Sequence, residues 1–381
     1  MRILGIIGSL VLILLPLVDA FESILLPRRT THRFRYARRF FRSTWSFWRA
    51  LALRMKAGKR RAAFLGVFGP LFLLCLFTTW VLVLIVGFGL LHWSLCTTFN
   101  APEGPATFWT YLYLSGTTFF TLGDGDVAPA TSIGRILVVA ESGMGFGFLA
   151  IIISYLPVLY QAFSHREVRI SLLDARAGSP PSASQVLLRL AKSGDPTAVN
   201  TCLVEWERWA AAVLESHMSF PLLCFYRSQH DNQSWLAALT AMLDTCTLLL
   251  AGVRGHHTYQ AQVTFAMARH AVVDLALVFD IAPQVPVADR LTNEQRQQLC
   301  ASLQDAGAGM HDGADFATKL AELRGMYEPF VNALARYFLL ALPPIVPEQV
   351  VADNWQRSAW MPRTPGIGDL PKAGTGDDHF H

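Results

Sequence analysis

The run Thr117-Thr118-Phe119-Phe120-Thr121-Leu122-Gly123-Asp124-Gly125-Asp126 concentrates the chemistry of this chain. An ion that sheds its water needs oxygens at close range, and a ring of backbone carbonyls supplies them. Turning successive carbonyls to one side takes backbone dihedrals that glycine reaches without a Cβ clash. Gly123 and Gly125 suit those places, and the Thr121 hydroxyl adds an oxygen at the inner end. Asp124 and Asp126 put negative charge near an outer mouth, where carboxylates concentrate cations. Taken without its surroundings, the same run also reads as a Gly/Asp turn between two helices.

The surroundings narrow the choice. The run lies between two long apolar segments, roughly Ala62 to Trp93 and Ile133 to Phe163. The 381 residues are 52% hydrophobic and 16% charged, too apolar for an ordinary soluble protein, so membrane spans are expected. Pro70 sits near the start of the first segment, where a missing N–H costs least, and His92 and Trp93 mark its outer end. Ser94 to Thr107 forms an external turret carrying Pro102, Glu103 and Pro105. Thr107 suits an N-cap for a short aromatic helix, Phe108 to Thr118, too short to cross. Such a helix must re-enter and stop at membrane depth, where non-helical backbone is tolerated only if buried or lining water. Its C-terminus would aim the negative end of the helix dipole at the path, which favours cations.

Charge sets the topology. The net charge is +4, but Arg28 to Arg61 holds thirteen Lys or Arg and no acid, and Ala62 to Gly134 holds no Lys or Arg. Ile3 to Val18 is apolar and ends in Val18-Asp19-Ala20, so it reads either as a signal peptide or as a first span. Cleavage would leave the basic block outside, against the positive-inside tendency, which favours the uncleaved span. The block interleaves arginine with aromatics from His32 to Arg49, a pattern for an interfacial helix on an anionic inner leaflet. Adjacent spans argue against nucleic acid as its partner. The basic residues of Ser164-His165-Arg166-Glu167-Val168-Arg169 fit a cytoplasmic exit.

A Thr-x-Gly-x-Gly-Asp run reached through an aromatic helix and followed by a membrane helix resembles the filter of the tetrameric potassium-channel superfamily. Gly125-Asp126-Val127-Ala128-Pro129, Gly134-Arg135 and Gly145 extend the likeness to bacterial two-transmembrane potassium channels over about Ala62 to Phe163. The resemblance implies a homotetramer with a monovalent cation at Thr121, Leu122, Gly123 and Asp124, and Gly125 closing the filter. Asp126 would stand at the outer mouth. It implies a hinge at Gly145, twenty residues after Gly125 and within a glycine-rich run suited to bending. Phe146, Leu149 and Ile153, on one face by their spacing, would line the cavity, with a gate near Pro157 to Gln161. Two departures stand out. Asp124 replaces the usual filter aromatic, as in the bacterial channel that passes both sodium and potassium, which leaves selectivity open. Glu141 is a carboxylate inside a span and so a candidate for contact behind the filter, for pH-sensing or gating, or for packing as a neutral acid.

Beyond Ser164 the apolar runs shorten. Ala175 to Ser184 reads as linker, followed by helices near 184–193, 196–217, 232–252, 257–280, 293–306 and 314–341. Start signals are Asp195-Pro196, Asp231 and Thr292. Pro343, Pro344 and Pro347 end this α-helical domain, and the Pro/Gly/Asp-rich tail from Asn354 reads as disordered. His217, Cys224, His230, His256 and His257 match no zinc spacing, and the six cysteines show no paired pattern. Trp206 and Trp209 read as core.

The expected organisation is an all-α membrane protein with a span at 1–20, a basic aromatic segment at 21–61 and a pore-loop domain at 62–163. A linker at 164–185, a cytoplasmic helical domain at 186–350 and a tail at 351–381 follow. The expected function is passive monovalent-cation conduction in the cell (inner) membrane, without a cofactor, and with a cytoplasmic regulator that sequence does not identify. Two other classes compete: a non-conducting sensor or scaffold that keeps the pore fold, for which Asp124 leaves room, and a membrane enzyme holding Mg²⁺ through Asp124 and Asp126. The absence of further clustered acids in the spans argues against the enzyme.

Overall fold

In a computed structural model the described residues are 2–25, 36–100, 106–178, 180–195, 197–230, 232–252, 258–286, 288–307 and 314–347. Outside them lie Arg28 to Arg35, Pro102, Glu103, Pro105, Pro196, Asp231, His256, His257 and the tail from Asn354. The protein is an all-α membrane protein. Five described helices are long and apolar enough to cross a bilayer. The chain divides into two compact units, one of Met1–Lys56 with Val67–Gln161, the other of Ala57–Gly66 with Ala162–His381.

The first unit is built on α1 (Arg2–Ala20), α2 (Tyr36–Arg54), α3 (Lys59–Ser94), α4 (Phe108–Phe119) and the start of α5 (Ser132–Ala177). α1 is followed by a single π-helical turn, Phe21–Leu25. It runs antiparallel to α3 through small residues that let the backbones approach, as is usual between apolar helices. A β-carbon on Gly87 would stand 2.9 Å from Ile13 Cγ1, and one on Gly5 would overlap Ser94 Oγ. At the other end the Trp80 indole N–H donates to Asp19 Oδ2 at 3.0 Å, with both residues buried.

The basic helix α2 does more than present arginine. Its aromatic stripe packs on α3, with Phe41 and Trp45 edge-on to Phe72 and Phe68 at 4.8 and 4.9 Å between ring centroids. Trp45 is buried as a result. Hydrophobic burial, not an interface alone, therefore orients this helix.

The second unit is a helical bundle of α6 (Ala183–Lys192), α7 (Ala198–Ser219), α8 (Trp235–Gly252), α9 (Thr258–Val278), α10 (Asn293–Asp305), α11 (Ala314–Gly325) and α12 (Glu328–Phe338). α8 is its axis. Although α8 is long and apolar enough to cross a membrane, all its residues except Ala251 are buried inside protein. One acid, Asp244, is sealed in with it and accepts hydrogen bonds from Arg290 and from the Tyr327 hydroxyl at 2.5 Å. Arg290 also reaches Glu328 and the Pro343 carbonyl, so the buried charge is paired rather than isolated. α10 opens with a reciprocal cap: Gln295 N donates to Thr292 Oγ1 at 3.2 Å and Thr292 N to Gln295 Oε1 at 3.0 Å.

Two boundaries differ from the sequence expectation. Ser164 to Ala177, read as part of a linker, continues α5 without a break. Ile170, Leu173 and Ala177 are buried, and Arg176 pairs with Glu205 at 2.8 Å, so packing keeps the segment helical until Gly178 at φ +78° ends it. The single helix expected over 314–341 is two, because Pro329 near the start of α12 cannot continue a helix from α11.

Candidate functional site

α4 begins where Thr107 caps it, with Thr107 N donating to Thr110 Oγ1 at 3.1 Å. It ends in a hydrogen-bond pair that closes helices: Thr121 N donates to the Thr118 carbonyl at 3.0 Å and Leu122 N to the Thr117 carbonyl at 2.8 Å. This geometry requires a left-handed residue just past the helix, a place usually held by glycine. Here it is Thr121, at φ +57°. A non-glycine residue there costs about 1–2 kcal/mol.

The left-handed conformation then recurs at every second residue. Gly123 has φ +65° and Gly125 φ +77°, while Leu122 and Asp124 are not left-handed. Alternation of this kind turns successive carbonyls toward a common side instead of to opposite sides, as in a strand. Residues Phe120 to Asp126 are all exposed on the single chain. At the end of this run Asp126 Oδ1 accepts from Val127 N at 2.8 Å. A two-residue antiparallel bridge, Phe99 opposite Pro129 and Asn100 opposite Ala128, then ties the segment back to the end of α3.

Behind the loop, three helices meet closely. Gly89 of α3 faces the Leu112 backbone of α4, where an added β-carbon would stand 3.3 Å from Leu112 Cα. Gly145 of α5 faces the last residue of α4 more tightly: a β-carbon there would overlap the Phe119 carbonyl oxygen and stand 3.0 Å from its carbon. α5 is continuous through Gly143 to Gly147, so Gly145 is required here for close approach, whatever bending it also permits. Phe119, Trp80 and Phe148 close the base of the loop, with Phe148 lying 6.4 Å from Phe119 and 6.0 Å from Trp80 between centroids.

The faces of α5 divide cleanly. Glu141, Gly145 and Phe148 are buried against the other helices. Phe146 and Ile153, each 70% exposed, lie on another face with the half-buried Leu149 between them. Glu141 is fully buried, and its Oε1 is in hydrogen-bond contact with Ser115 Oγ of α4.

Ser115, Tyr113 and Trp80 carry no motif in the sequence, and Asp19 stands there only within a possible cleavage site. Asp19, a lone acid at the end of an apolar helix, was the readable signal for a buried partner. Ser115 offers a weaker one, as a small polar residue in an aromatic helix. His92, expected at an outer interface, is buried, with Nδ1 3.2 Å from Thr97 Oγ1.

In the second unit His217 lies beside Arg166, whose Nη1 is 3.2 Å from its Nε2 and 2.9 Å from the Leu223 carbonyl. Burial, then the neighbouring Arg166 cation, hold the imidazole well below its ordinary range. Its neighbours are the Arg166 cation, the Ser216 hydroxyl and the Trp235 ring, not a ligand set. No group of three or more His, Cys, Asp or Glu stands ready for a metal among the described residues. Cys224 and the Trp206–Trp209 pair are core.

Comparison with known proteins agrees with the first unit. Residues 71–161 match the family model described as ion channel, which supports ion-channel activity for that segment. The chain is also 22% identical over 194 residues to the uncharacterized membrane protein YdjJ of Bacillus subtilis. That alignment covers 50% of this chain and 56% of the relative, so this chain spans little more than half of the relative's length. No solved structure matches.

Proposed function

We propose that four copies of this chain surround a path through which monovalent cations, potassium and also sodium, pass down their electrochemical gradient. One observation carries the reading: the left-handed conformation at Thr121, Gly123 and Gly125, alternating along an exposed loop at the C-terminus of a short helix. A single loop supplies one wall of carbonyls, and a ring needs several. Thr121, Leu122, Gly123 and Asp124 contribute the ion-facing oxygens, Gly125 closes the segment, and Asp126 gathers cations at the mouth. Phe146, Leu149 and Ile153 line the inner cavity, and the bending of α5 at Gly145 opens and shuts it.

The ion-channel family match over residues 71–161 supports conduction, and the basic stretches before α3 and after the apolar part of α5 support a cytoplasmic side for the helical unit. The unit then sits on the cytoplasmic face of the cell (inner) membrane and regulates opening through the continuous α5. The arginines of α2 meet an anionic inner leaflet.

Reconstitution into bilayers tests the reading. Current is expected, with a reversal potential set by both cations under opposing potassium and sodium gradients. Silence under every voltage, pH and lipid condition would overturn it and leave the non-conducting sensor or scaffold. Cross-linking in mild detergent should end at a tetramer, and a ladder stopping at dimer contradicts a fourfold ring.

A further inference from the structure

Ser115 Oγ touches two acceptors at once. It lies 2.8 Å from the Ile85 carbonyl oxygen of α3 and in hydrogen-bond contact with Glu141 Oε1 of α5. A serine hydroxyl carries one proton, and a backbone carbonyl carries none to give. If Glu141 were a carboxylate, one of these two buried contacts would set acceptor against acceptor. Its second oxygen, Oε2, is buried without a hydrogen-bond partner, which an ionised carboxylate in an apolar setting tolerates poorly. Both contacts are satisfied if the proton sits on Glu141 Oε1.

We infer that Glu141 is a neutral acid that donates to Ser115, which donates in turn to the Ile85 carbonyl, and that this two-proton relay clamps α4 between α3 and α5. Glu141 is thus a positioning residue. It acts on the Thr121–Gly125 loop through α4, and ionising it removes the donor that holds the clamp.

Among the described residues no counter-charge is in contact with it. Of the titratable groups on the packed helices, His92 contacts Thr97, Tyr111 donates to the Thr97 carbonyl, Arg135 donates to the Pro129 carbonyl and Tyr155 packs edge-on to Phe77, while Cys75, Tyr113 and Tyr160 are exposed and Lys59, Arg60 and Arg61 stand at the start of α3, more than twenty residues before Ile85. Asp19, which packs on α3 from α1, accepts from Trp80.

The test compares the full chain with Glu141→Gln, whose amide can donate to Ser115 without titrating, and with Glu141→Ala, which cannot donate. The infrared difference between wild type and Glu141→Gln at neutral pH should show the carbonyl stretch of a protonated carboxylic acid, and a carboxylate band pair instead would overturn the proposal. Thermal resistance in detergent should fall on alkaline titration of wild type and stay flat in Glu141→Gln. Parallel titration of the two overturns it. Current through wild type should likewise fall at alkaline pH, and current through Glu141→Gln should not. This last arm alone rests on the cation-conduit reading, so a silent wild type sinks that reading while the infrared result still decides this one. Should Glu141→Ala fail to fold, the Glu141→Gln comparison decides by itself.

Discussion

The Phe119 carbonyl oxygen occupies the place where a β-carbon on Gly145 would stand. The residue that ends α4 and the middle of α5 are thus in backbone contact directly beneath the loop that carries Thr121.

Gly145→Ala should destabilise the first unit by about 1–3 kcal/mol, the usual range for overpacking. Helix propensity alone predicts the opposite, a gain of about 1 kcal/mol on replacing glycine by alanine. Gly143 and Gly147, which face open space, supply the contrast and should show that gain. Thermal unfolding of the three variants in detergent separates steric from intrinsic effects. Equal behaviour at all three positions would remove the contact from the account.

Thr121→Gly should separate stability from function. Glycine accepts the left-handed cap without strain, so the fold should gain about 1 kcal/mol. The hydroxyl is lost with it, and cation discrimination should weaken. Paired measurements of unfolding and reversal potential check the two signs, and a variant that is less stable would contradict the capping geometry.

Asp124→Tyr should raise the potassium-to-sodium permeability ratio, because an aromatic there can brace the loop against α4 while removing an exposed carboxylate. Reversal potentials under opposing gradients measure it. An unchanged ratio in a variant that still conducts removes Asp124 from selectivity.

Asp19→Ala should cost about 1–3 kcal/mol by leaving the buried Trp80 indole N–H without its acceptor. Trp80→Phe removes the donor too, so the double variant should lose less than the sum of the singles. Additive losses would mean that the pair is not coupled.

The second unit should weaken in acid. His217 is held neutral by burial and by Arg166, so its folded pKa lies below the ordinary value near 6.5. Between those values the unfolded chain binds a proton that the folded chain does not, and stability rises with pH there. The contribution is therefore complete above about pH 6.5 and is lost as pH falls below it, by up to about 1.4 kcal/mol per pH unit. His217→Gln can still accept from Arg166 and should flatten that slope. Fluorescence of the buried Trp206, Trp209 and Trp235 during acid titration provides the readout.

Some of this was written locally. The apolar run through Trp93, the Thr107 cap, the short aromatic helix and the Gly123/Gly125 spacing each depend on neighbours a few residues away, and α4 ends within one residue of the expected Thr118. The linker was misjudged for the same local reason. The small, Gly/Pro-bearing composition belongs to Ala175 to Ser184, whereas the Leu, Arg and Ala residues before it suit a helix, and contacts with α7 and the Arg176–Glu205 pair preserve it through Ala177.

What the sequence by itself determined is the set of elements: apolar length for the spans, basic charge for their flanks, and a polar, glycine-bearing loop between them. Tertiary structure alone decided which distant groups share a proton or a backbone surface. Ser115 meets Ile85 and Glu141, Asp19 meets Trp80, and Gly145 meets Phe119 only once the helices have packed, because each pair is separated by more than twenty residues of chain and no local propensity encodes the meeting.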